Sequence, residues 1–343
     1  MPDFIETLID KLGEALIVRE NVKVDVISTG SLSLDSSIGI GGIPRGRITE
    51  LYGVEGSGKT SLALSVARSA IKQKLKVLYV DAENMLNYDT IFALLGEEIS
   101  NEDLVLIQPE TAEENMEACE IGIKSGEFGC IILDSIGALA PEVEKAKDLT
   151  QPTVGLVPKL ITVWLRRNAV LIGRNNVAFV FINQVRDQIG SYTHAFATPG
   201  GHALKHFASV RISLSKGEKI IQGKEVVGIN VKFTVQKNKL APPFRSFLIP
   251  LYFGRGIDSV RDTILFAEML GVLKKKGSYY VFEGETIGQG VSKTADALSN
   301  NTDLLDKIRE ICYTWVASEN LPSVVMKEDE DAEEAEEERS DDE

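Results

Sequence analysis

Residues 53–60 read Gly-Val-Glu-Gly-Ser-Gly-Lys-Thr, a sequence of the form G-x-x-x-x-G-K-T. A short apolar run at 48–52 precedes it, and a helix-forming stretch at 61–67 follows it. This order of strand, glycine-rich loop and helix is the context in which the motif binds phosphate. The glycines allow a tight turn whose backbone N–H groups converge on one point, and the helix directs its positive dipole end there. The segment therefore predicts a nucleotide-binding loop.

Two side chains at the end of this loop predict contacts to a nucleoside triphosphate. Lys59 is placed to reach the β- and γ-phosphates, and the Thr60 hydroxyl is a ligand for Mg²⁺. The predicted phosphate-binding set is Gly53, Glu55, Gly56, Ser57, Gly58, Lys59 and Thr60. A purely structural glycine loop is the alternative, but the strand and helix on either side favour nucleotide binding.

Apolar runs that each end in a polar residue predict a parallel sheet around this loop. Continuous apolar runs occur at 77–80, 104–107, 130–133 and 177–182, with helical stretches between them. Such strands are buried on both faces, as in parallel sheets that carry helices on either side. We therefore expect an α/β P-loop ATPase core with a mostly parallel central sheet flanked by helices. Ligands of such sheets bind beyond the carboxyl ends of the strands.

Three polar residues at predicted strand ends are candidates for hydrolysis of the nucleotide. Asp134 fits the carboxylate that holds Mg²⁺ together with Thr60, although a strand-end Asp also caps helices. Glu83 is placed to orient or deprotonate the attacking water, unless it is a solvated loop acid. The Gln184 amide is placed to donate a hydrogen bond to the γ-phosphate. The alternative, that Gln184 merely ends a strand and has no such role, agrees with the sequence equally well.

Beyond the parallel region, alternating apolar and polar residues predict antiparallel strands. Segments 210–214 and 229–235 alternate strictly, which is typical of strands with one solvated face. The stretches 216–218 and 222–224 each place a glycine between polar residues, and we predict that both are turns. A smaller unit of mixed helix and strand is expected from about residue 258.

A long loop and a basic helix are candidates for binding single-stranded nucleic acid. Residues 184–201 form a glycine-flanked stretch with one arginine, Arg186, and the aromatic residues Tyr192 and Phe196. This composition suits stacking on bases and contact with phosphates. A second loop, 140–154, leads into a helix whose basic residues are Lys159, Arg166 and Arg167. A solvated helix face explains these bases equally well.

The bulk composition excludes several classes of protein. The 343-residue chain has no run of 18 apolar residues, so no membrane-spanning helix is expected. Its first residues lack the order of a secretory signal. The three cysteines fit neither a disulfide framework nor a metal site, and they indicate free thiols in a reducing compartment. A cytoplasmic protein is therefore expected.

The negative charge of the chain is concentrated at its C-terminus. Residues 327–343 hold 12 acidic and two basic residues, whereas the whole chain holds 51 and 37 and has a net charge of −14. Such a segment has too little apolar surface to fold, so we expect a disordered acidic tail. The tail acts either as a solubility segment or as a competitor for a basic, nucleic-acid-binding surface.

Two further features suggest contacts between subunits. Residues 1–20 carry a short apolar stripe at helical spacing, which packs locally or docks on another subunit. Lys237 and Lys239 close an alternating strand. Such lysines usually face water, but in an oligomeric ATPase they would reach a neighbour's γ-phosphate, as an arginine finger does.

Eight sequence blocks occur in one order along the chain. They are 28–35 (STGSLSLD), 53–60 (GVEGSGKT), 81–83 (DAE), 133–135 (LDS), 181–186 (FINQVR), 200–205 (GGHALK), 237–239 (KNK) and 284–290 (GETIGQG). Together they resemble the bacterial RecA recombinase family. The resemblance extends from about residue 24 to residue 320, and its last three blocks are not shared by P-loop ATPases in general. The acidic tail also resembles the C-terminus of that family.

The resemblance implies an ATP-dependent protein of homologous recombination, DNA repair and the SOS response. Such a protein polymerises on single-stranded DNA, pairs it with homologous duplex and exchanges strands, with DNA-stimulated ATP hydrolysis. The partners implied are DNA, further copies in a helical filament, a self-cleaving repressor and a single-strand-binding protein. Two other functions of the same core are open alternatives, namely a hexameric helicase-type motor and a DNA-binding regulatory filament.

The resemblance also assigns roles to residues. Glu83 would activate water, and Gln184 would couple the γ-phosphate of ATP to the loop that it begins. The implied catalytic set is Lys59, Glu83, Gln184, Lys237 and Lys239, of which the last two would complete the ATP site of the adjacent protomer. Thr60 and Asp134 would hold Mg²⁺, and Asn87 and Phe253 would contact adenine. The positions that match DNA-facing residues are Lys159, Arg166, Arg186, Gly200, Gly201 and His202.

The resemblance implies four regions and shows some departures. Residues 1–30 would be an N-terminal oligomerisation helix and linker, and 31–257 a RecA-like ATPase core with DNA-binding loops. Residues 258–326 would be a small α+β domain, and 327–343 the disordered acidic tail. Asn87 stands where the family usually has Asp, and both predicted DNA loops differ from the family pattern. These departures suggest a divergent member, phage-encoded or from an unusual bacterium.

Overall fold

The computed structural model describes residues 24–96, 99–145, 155–185 and 200–317. Its strands are β1 (Val26–Ile27), β2 (Ile43–Pro44), β3 (Arg47–Gly53), β4 (Lys76–Asp81), β5 (Leu104–Ile107), β6 (Phe128–Asp134), β7 (Ala178–Gln184), β8 (Val210–Gln222), β9 (Glu225–Asn238), β10 (Ser246–Tyr252), β11 (Gly256–Ile257), β12 (Lys274–Lys276), β13 (Tyr279–Phe282) and β14 (Glu285–Gln289). The predicted N-terminal helix and the acidic tail lie outside these residues.

The helices lie mainly between the parallel strands and in the C-terminal part of the chain. They are α1 (Leu32–Ile38), α2 (Lys59–Lys72), α3 (Tyr88–Leu95), α4 (Ala112–Ser125), α5 (Glu142–Lys145), α6 (Leu156–Arg174), α7 (Gly201–Phe207), α8 (Ser259–Met269), α9 (Gly290–Ser299) and α10 (Thr302–Ala317), and a 3-10 turn covers Ile136–Ala138. None of these helices is long and apolar enough to cross a membrane.

In the described residues, one large sheet has the strand order β11-β10-β9-β8-β3-β7-β6-β4-β5. The strands from β8 to β5 in this order are parallel to their neighbours. Strands β9, β10 and β11 add antiparallel pairs beside β8. The mostly parallel sheet predicted from the apolar runs is therefore confirmed. Helices α2, α4 and α6 connect parallel strands and cover both faces of the sheet.

The predicted antiparallel strands β8 and β9 are present, but one predicted turn is wrong. The chain turns at Gly223, which has a φ of +66°, as the pattern at 222–224 predicted. Residues 216–218 instead continue β8, where the pairing with β9 is irregular. A Cβ on Gly217 would lie 2.5 Å from the backbone oxygen of Asn230. This glycine therefore permits a close approach of two strands at a bulge. Glycine inside a strand often has this role rather than that of a turn residue.

Each face of the central sheet has its own hydrophobic core. Leu62 of α2 and Val180 of β7 are buried on one face. Trp164 of α6 and Phe179 of β7 are buried on the other, with their ring centroids 5.1 Å apart. A large apolar side chain contributes about 1.5–3 kcal/mol when it is fully buried. The two cores hold the strands firmly, so the loops at their carboxyl ends have a fixed base.

The C-terminal part of the chain combines helices α8 to α10 with a small antiparallel sheet of β12, β13 and β14. Asp262, buried in the first turn of α8, accepts hydrogen bonds from the hydroxyls of Ser31 and Ser33 at 3.0 and 2.5 Å. Leu32 of α1 also packs into the core of this unit. The predicted boundary at 257 and 258 falls just before α8, and the division into domains stays a prediction.

Candidate functional site

The predicted phosphate loop lies between β3 and α2 at the carboxyl edge of the sheet. Gly56 and Gly58 have positive φ values of +67° and +85°, which favour glycine. A Cβ on Gly53 would lie 2.0 Å from the backbone oxygen of Leu214, so the loop packs closely on β8. The hydroxyl oxygen of Ser57 is buried and has no hydrogen-bond partner among the described residues. These features fit a backbone cradle for phosphate.

A cleft of about 280 Å³ opens beside this loop. It brings together many of the predicted residues, namely Glu55, Gly56, Gly58, Lys59, Thr60, Glu83, Asp134, Gln184 and Phe253. The Lys59 ammonium donates to the backbone oxygens of Gly53 and Val54 at 3.0 and 2.8 Å. Burial lowers the pKa of Lys59, and the nearby acids, Asp134 foremost, oppose this effect. The cation is thus already held at the mouth of the phosphate loop.

Thr60 and Asp134 form the predicted metal-binding pair. The Thr60 hydroxyl donates to Asp134 Oδ2 at 2.8 Å, and the Tyr79 hydroxyl donates to the same oxygen at 2.8 Å. Burial raises the pKa of Asp134 to about 6, while these two hydrogen bonds oppose the rise. The described residues contain no group of three or more His, Cys, Asp or Glu that could hold a metal ion. A threonine and one carboxylate suit Mg²⁺, which keeps several water ligands and binds nucleotide phosphates.

Glu83 lies in the loop after β4 and receives two hydrogen bonds on one carboxylate oxygen. The Ser135 hydroxyl donates to Glu83 Oε1 at 2.6 Å, and the Gln184 amide donates to it at 3.0 Å. Asp81 holds the loop itself, because its carboxylate accepts from the backbone N–H groups of Glu83 and Leu86 at 3.1 and 2.9 Å. A hydrogen bond therefore connects the two residues that we predicted from the sequence to activate water and to sense the γ-phosphate.

Two partners of these acids were missed by the sequence reasoning. Ser135 directly follows Asp134, and its position beside a strand end was an available signal. Tyr79 lies inside an apolar run, where nothing in the pattern indicates that its hydroxyl reaches an acid on the neighbouring strand. Both residues are buried, so their hydroxyl groups require partners of this kind.

The two predicted adenine contacts differ in position. The Phe253 ring is 56% exposed and lines the cleft. Asn87 is exposed, and its backbone oxygen accepts from Ile91 at the start of α3. It is not among the described residues that line the cleft. One chain therefore offers a flat aromatic surface at the cleft, and the contact of Asn87 with a base stays a prediction.

The predicted DNA-binding residues of α6 share an exposed stripe of that helix. Lys159 and Arg166 alternate on it with Val163 and Val170, which are 46% and 60% exposed. Neither cation has an ion-pair partner within the described ranges. Arg167, in contrast, lies 3.0 Å from a carboxylate of α4, Glu120. Among the described residues, Arg167 is therefore ion-paired and Arg166 is not, and the alternative of a solvated helix face stays open for Lys159 and Arg166.

The predicted DNA-facing turn begins α7 and packs against two other elements. Gly200 and Gly201 have φ values of +95° and +71°. A Cβ on Gly201 would lie 3.2 Å from Pro158 in α6, and one on Gly200 would lie 3.3 Å from Ile136. Glycines are needed here for the backbone conformation and for these close approaches. The turn is thus fixed between the basic helix and the 3-10 turn that follows β6.

The other predicted residues of this surface differ in how far the structure describes them. His202 is exposed in the first turn of α7. Arg186, Tyr192 and Phe196 lie outside the described residues. The described part of the surface is therefore the stripe of α6, defined by Lys159 and Arg166, together with the start of α7. We call these elements the basic face.

Lys237 and Lys239 lie at the other end of α7. Their ammonium groups donate to the backbone oxygen of His206 at 3.2 and 3.1 Å. Lys237 pairs across the strands with Arg211, which in turn pairs with Glu50 of β3. Glu50 precedes the phosphate loop by three residues, or about 10 Å of extended strand. Both lysines are therefore away from the phosphate loop of their own chain.

A buried charged cluster lies between the cleft and these lysines. Glu50 is fully buried, and its carboxylate accepts from Arg211 Nε at 2.5 Å and from the Asn183 amide at 2.9 Å. The Arg211 guanidinium also stacks over the Tyr52 ring, 4.6 Å from its centroid. The cluster joins β7, β3 and β8 on one face of the sheet. It was not predicted, because an acid within a strand pattern gives no sign of a partner.

Taken together, the parallel sheet, the phosphate cradle and the acids at the carboxyl edge define a class of enzyme. The chain is an α/β P-loop ATPase. Its fold is similar to that in a solved structure described as the crystal structure of the RadB recombinase, with a TM-score of 0.51 and 23% identity. That likeness covers 68% of this chain and 98% of the other chain, and it concerns the fold alone.

Sequence comparison gives the family within this class. The family model described as the RecA N-terminal domain matches residues 3–258, and the model described as the RecA C-terminal domain matches residues 262–312. The chain is 44% identical to Protein RecA of Thermus thermophilus over 290 residues, 84% of each chain. It is 36% identical to Protein RecA of Bacillus subtilis over 328 residues, 95% of this chain and 92% of the relative.

The chain therefore belongs to the RecA family. It is a RecA-type recombinase and a DNA-dependent ATPase. Members of this family bind DNA and form filaments. The family predicted from the eight sequence blocks is confirmed, whereas the roles of single residues stay predictions.

Proposed function

We propose that this chain polymerises on single-stranded DNA with ATP bound, pairs that strand with homologous duplex and exchanges strands. The observation that carries the proposal is the hydrogen bond from Gln184 to Glu83 in the cleft. Gln184 ends β7, and the chain then continues through residues 186–199 to the glycine turn of the basic face. One segment thus connects the acid proposed for hydrolysis to the surface proposed for DNA.

The residues of the cleft would each have a separate role in ATP hydrolysis. Lys59 would orient the phosphates, and Glu83 would accept a proton from the attacking water. Thr60 and Asp134 would hold Mg²⁺, which when bound neutralises charge on the phosphates. Gln184 would exchange its hydrogen bond to Glu83 for one to the γ-phosphate. Loss of that phosphate would then release the strand end that leads to the DNA loop.

We infer that Lys237 and Lys239 complete the ATP site of the adjacent protomer. Their distance from their own phosphate loop supports this arrangement. Burial lowers the pKa of Lys237, and the positive charges of Lys239 and Arg211 lower it further. A cluster of cations at the protein surface favours an anion as its partner, and a γ-phosphate is such a partner. Nucleotide would then join protomers, and its hydrolysis would loosen the filament.

The proposed DNA contacts are to the phosphate backbone. They would be made by Lys159, Arg166, Arg186, Gly200, Gly201 and His202. Such contacts fix the path of the strand without reading its sequence, so base pairing with the duplex would supply recognition. Adenine would lie against Phe253 and Asn87. A cytoplasmic location, a self-cleaving repressor and a single-strand-binding protein as partners belong to the same proposal.

The proposal can be tested with three measurements on one preparation. We expect single-stranded DNA to accelerate ATP hydrolysis, electron microscopy to show open helical filaments, and a circular single strand to exchange with homologous linear duplex. A heterologous duplex is the control and should give no exchange. Closed rings that unwind duplex in one direction would favour the helicase-type motor. Filaments that hydrolyse ATP without exchanging strands would favour the regulatory alternative.

A further inference from the structure

We propose that Ser135 is a positioning residue that holds Glu83 in place when Gln184 changes its hydrogen-bond partner. The inference rests on the proposed function, because it requires that Glu83 activates water and that Gln184 binds the γ-phosphate. Its starting point is the shared acceptor. Ser135 and Gln184 both donate to the same oxygen, Glu83 Oε1.

Glu83 loses one of these two hydrogen bonds when Gln184 changes partner. When the Gln184 amide turns to the phosphate, its bond to Glu83 is lost. Glu83 is otherwise exposed, and in the described part of the chain its carboxylate has no further hydrogen-bond donor. A free glutamate side chain samples many rotamers. The Ser135 hydroxyl is therefore the group that keeps the carboxylate oriented toward the cleft while the amide is elsewhere.

Ser135 is suited to this task because the fold fixes it. It is fully buried directly after β6. The Ala138 N–H donates to its backbone oxygen at 3.1 Å, which closes the 3-10 turn. The hydroxyl is thus placed by the end of β6 and by this turn, and its hydrogen bond to Glu83 does not require the Gln184 amide.

The same turn also contacts the two elements that DNA binding would affect. A Cβ on Gly137 would lie 3.3 Å from the side chain of Gln184. Ile136 packs against Gly200, at the start of α7. A shift of the basic face would therefore act on the turn that carries Ser135. ATP alone would draw Gln184 to the γ-phosphate for part of the time, whereas DNA on the basic face would hold the end of β7 so that Gln184 stays there. We therefore expect Ser135 to matter most when DNA is bound.

The test compares ATP hydrolysis with and without single-stranded DNA in three variants. Ser135→Ala should lower the DNA-stimulated kcat by roughly ten- to a hundredfold, since a small misplacement of a catalytic group has effects of this size. The basal kcat should fall less, so the ratio of stimulated to basal rate should fall, with little change in KM for ATP. Ser135→Thr keeps a hydroxyl at this position and should restore most of the ratio.

Ser37→Ala is the matched control. It removes another buried hydroxyl, which donates to the backbone oxygen of Ser33 at 2.7 Å within α1, and it should leave the ratio at the parent value. If Ser135→Ala does not fold, Ser135→Cys is measured instead, since a thiol is a weak donor of similar size. Equal losses of stimulated and basal rate, or no loss, would overturn the proposal.

A Glu83→Gln variant in the same assay separates this inference from the proposed function. If Glu83→Gln hydrolyses ATP like the parent, the assignment of the catalytic acid fails. If Glu83→Gln is inactive and Ser135→Ala keeps the parent ratio, only the role of Ser135 fails.

Discussion

The nucleotide cleft and the basic face are built differently, although one strand connects them. In the cleft, Lys59, Glu83 and Asp134 each have hydrogen-bond partners within the protein. On the basic face, Lys159 and Arg166 have no ion-pair partner in the described ranges and stand between exposed valines. Preorganised groups suit chemistry on a small anion, whereas unpaired cations on a surface suit a long polyanion. The difference supports the proposal that the cleft acts on the nucleotide and that the basic face binds the DNA strand.

The largest expected effect comes from removing Glu83, the acid of the cleft that we propose to be catalytic. Glu83→Gln keeps the side-chain size but cannot accept the proton, and general base catalysis contributes about 10² to 10⁴ in rate. We expect kcat for ATP to fall by at least about 100-fold, with ATP binding retained. Glu117→Gln, at an exposed acid of α4 away from the cleft, is the control and should keep most of the activity. A Glu83→Gln variant with the parent kcat would contradict the proposal that the cleft holds the general base.

The pair of Glu50 and Arg211, which lies between the cleft and the lysines Lys237 and Lys239, is the next test. Glu50→Ala leaves the Arg211 guanidinium, whose side chain is only 14% exposed, without its carboxylate. Loss of one partner of a buried ion pair costs about 3–5 kcal/mol of folding stability, and we expect the lower end of this range. Urea denaturation measures it. Glu218→Ala removes an exposed acid of β8 and should change the stability by less than about 0.5 kcal/mol. A loss for Glu50→Ala as small as that of Glu218→Ala would contradict the structural importance of the pair.

A smaller effect should distinguish two adjacent arginines of α6. Arg166→Ala should weaken binding of single-stranded DNA and reduce the slope of log affinity against log salt by about 0.7, the value for one phosphate contact. Arg167 is paired with Glu120, so Arg167→Ala is the matched control and should leave the slope nearly unchanged. Fluorescence anisotropy over a salt series measures both. Equal slopes for the two variants would remove the distinction between paired and unpaired cations.

The sequence predicted the cleft better than it predicted the basic face. Apolar runs locate buried strands, and the polar residues that end them must meet at one edge of a parallel sheet. Glu83, Asp134 and Gln184 were found for this reason. On a helix surface, cations at the same spacing serve as a solvated face or as a binding face. Only the partners seen in the structure separate Arg166 from Arg167.

The errors and omissions in the sequence reasoning have physical causes. Gly217 between two polar residues predicts a turn, whereas in the structure it allows two strands to approach at a bulge. The sequence gives no sign of the role of Glu50, because a charged residue inside a strand pattern normally lies on a solvated face. Its partners come from β7 and β8, which are distant in sequence. Contacts of this kind depend on the order of the strands in the sheet, which cannot be derived from local patterns in the sequence.

The central claim is that the nucleotide cleft of one protomer is completed by Lys237 and Lys239 of the next. It is tested most directly by mixing Lys59→Ala chains with Lys237→Ala/Lys239→Ala chains and measuring ATP hydrolysis on single-stranded DNA. Each variant alone should be nearly inactive. In an equal mixture, roughly a quarter of the head-to-tail interfaces would combine an intact Lys59 with intact lysines from the neighbour. We predict that activity reappears in the mixture, and a mixture as inactive as its two components would contradict the claim.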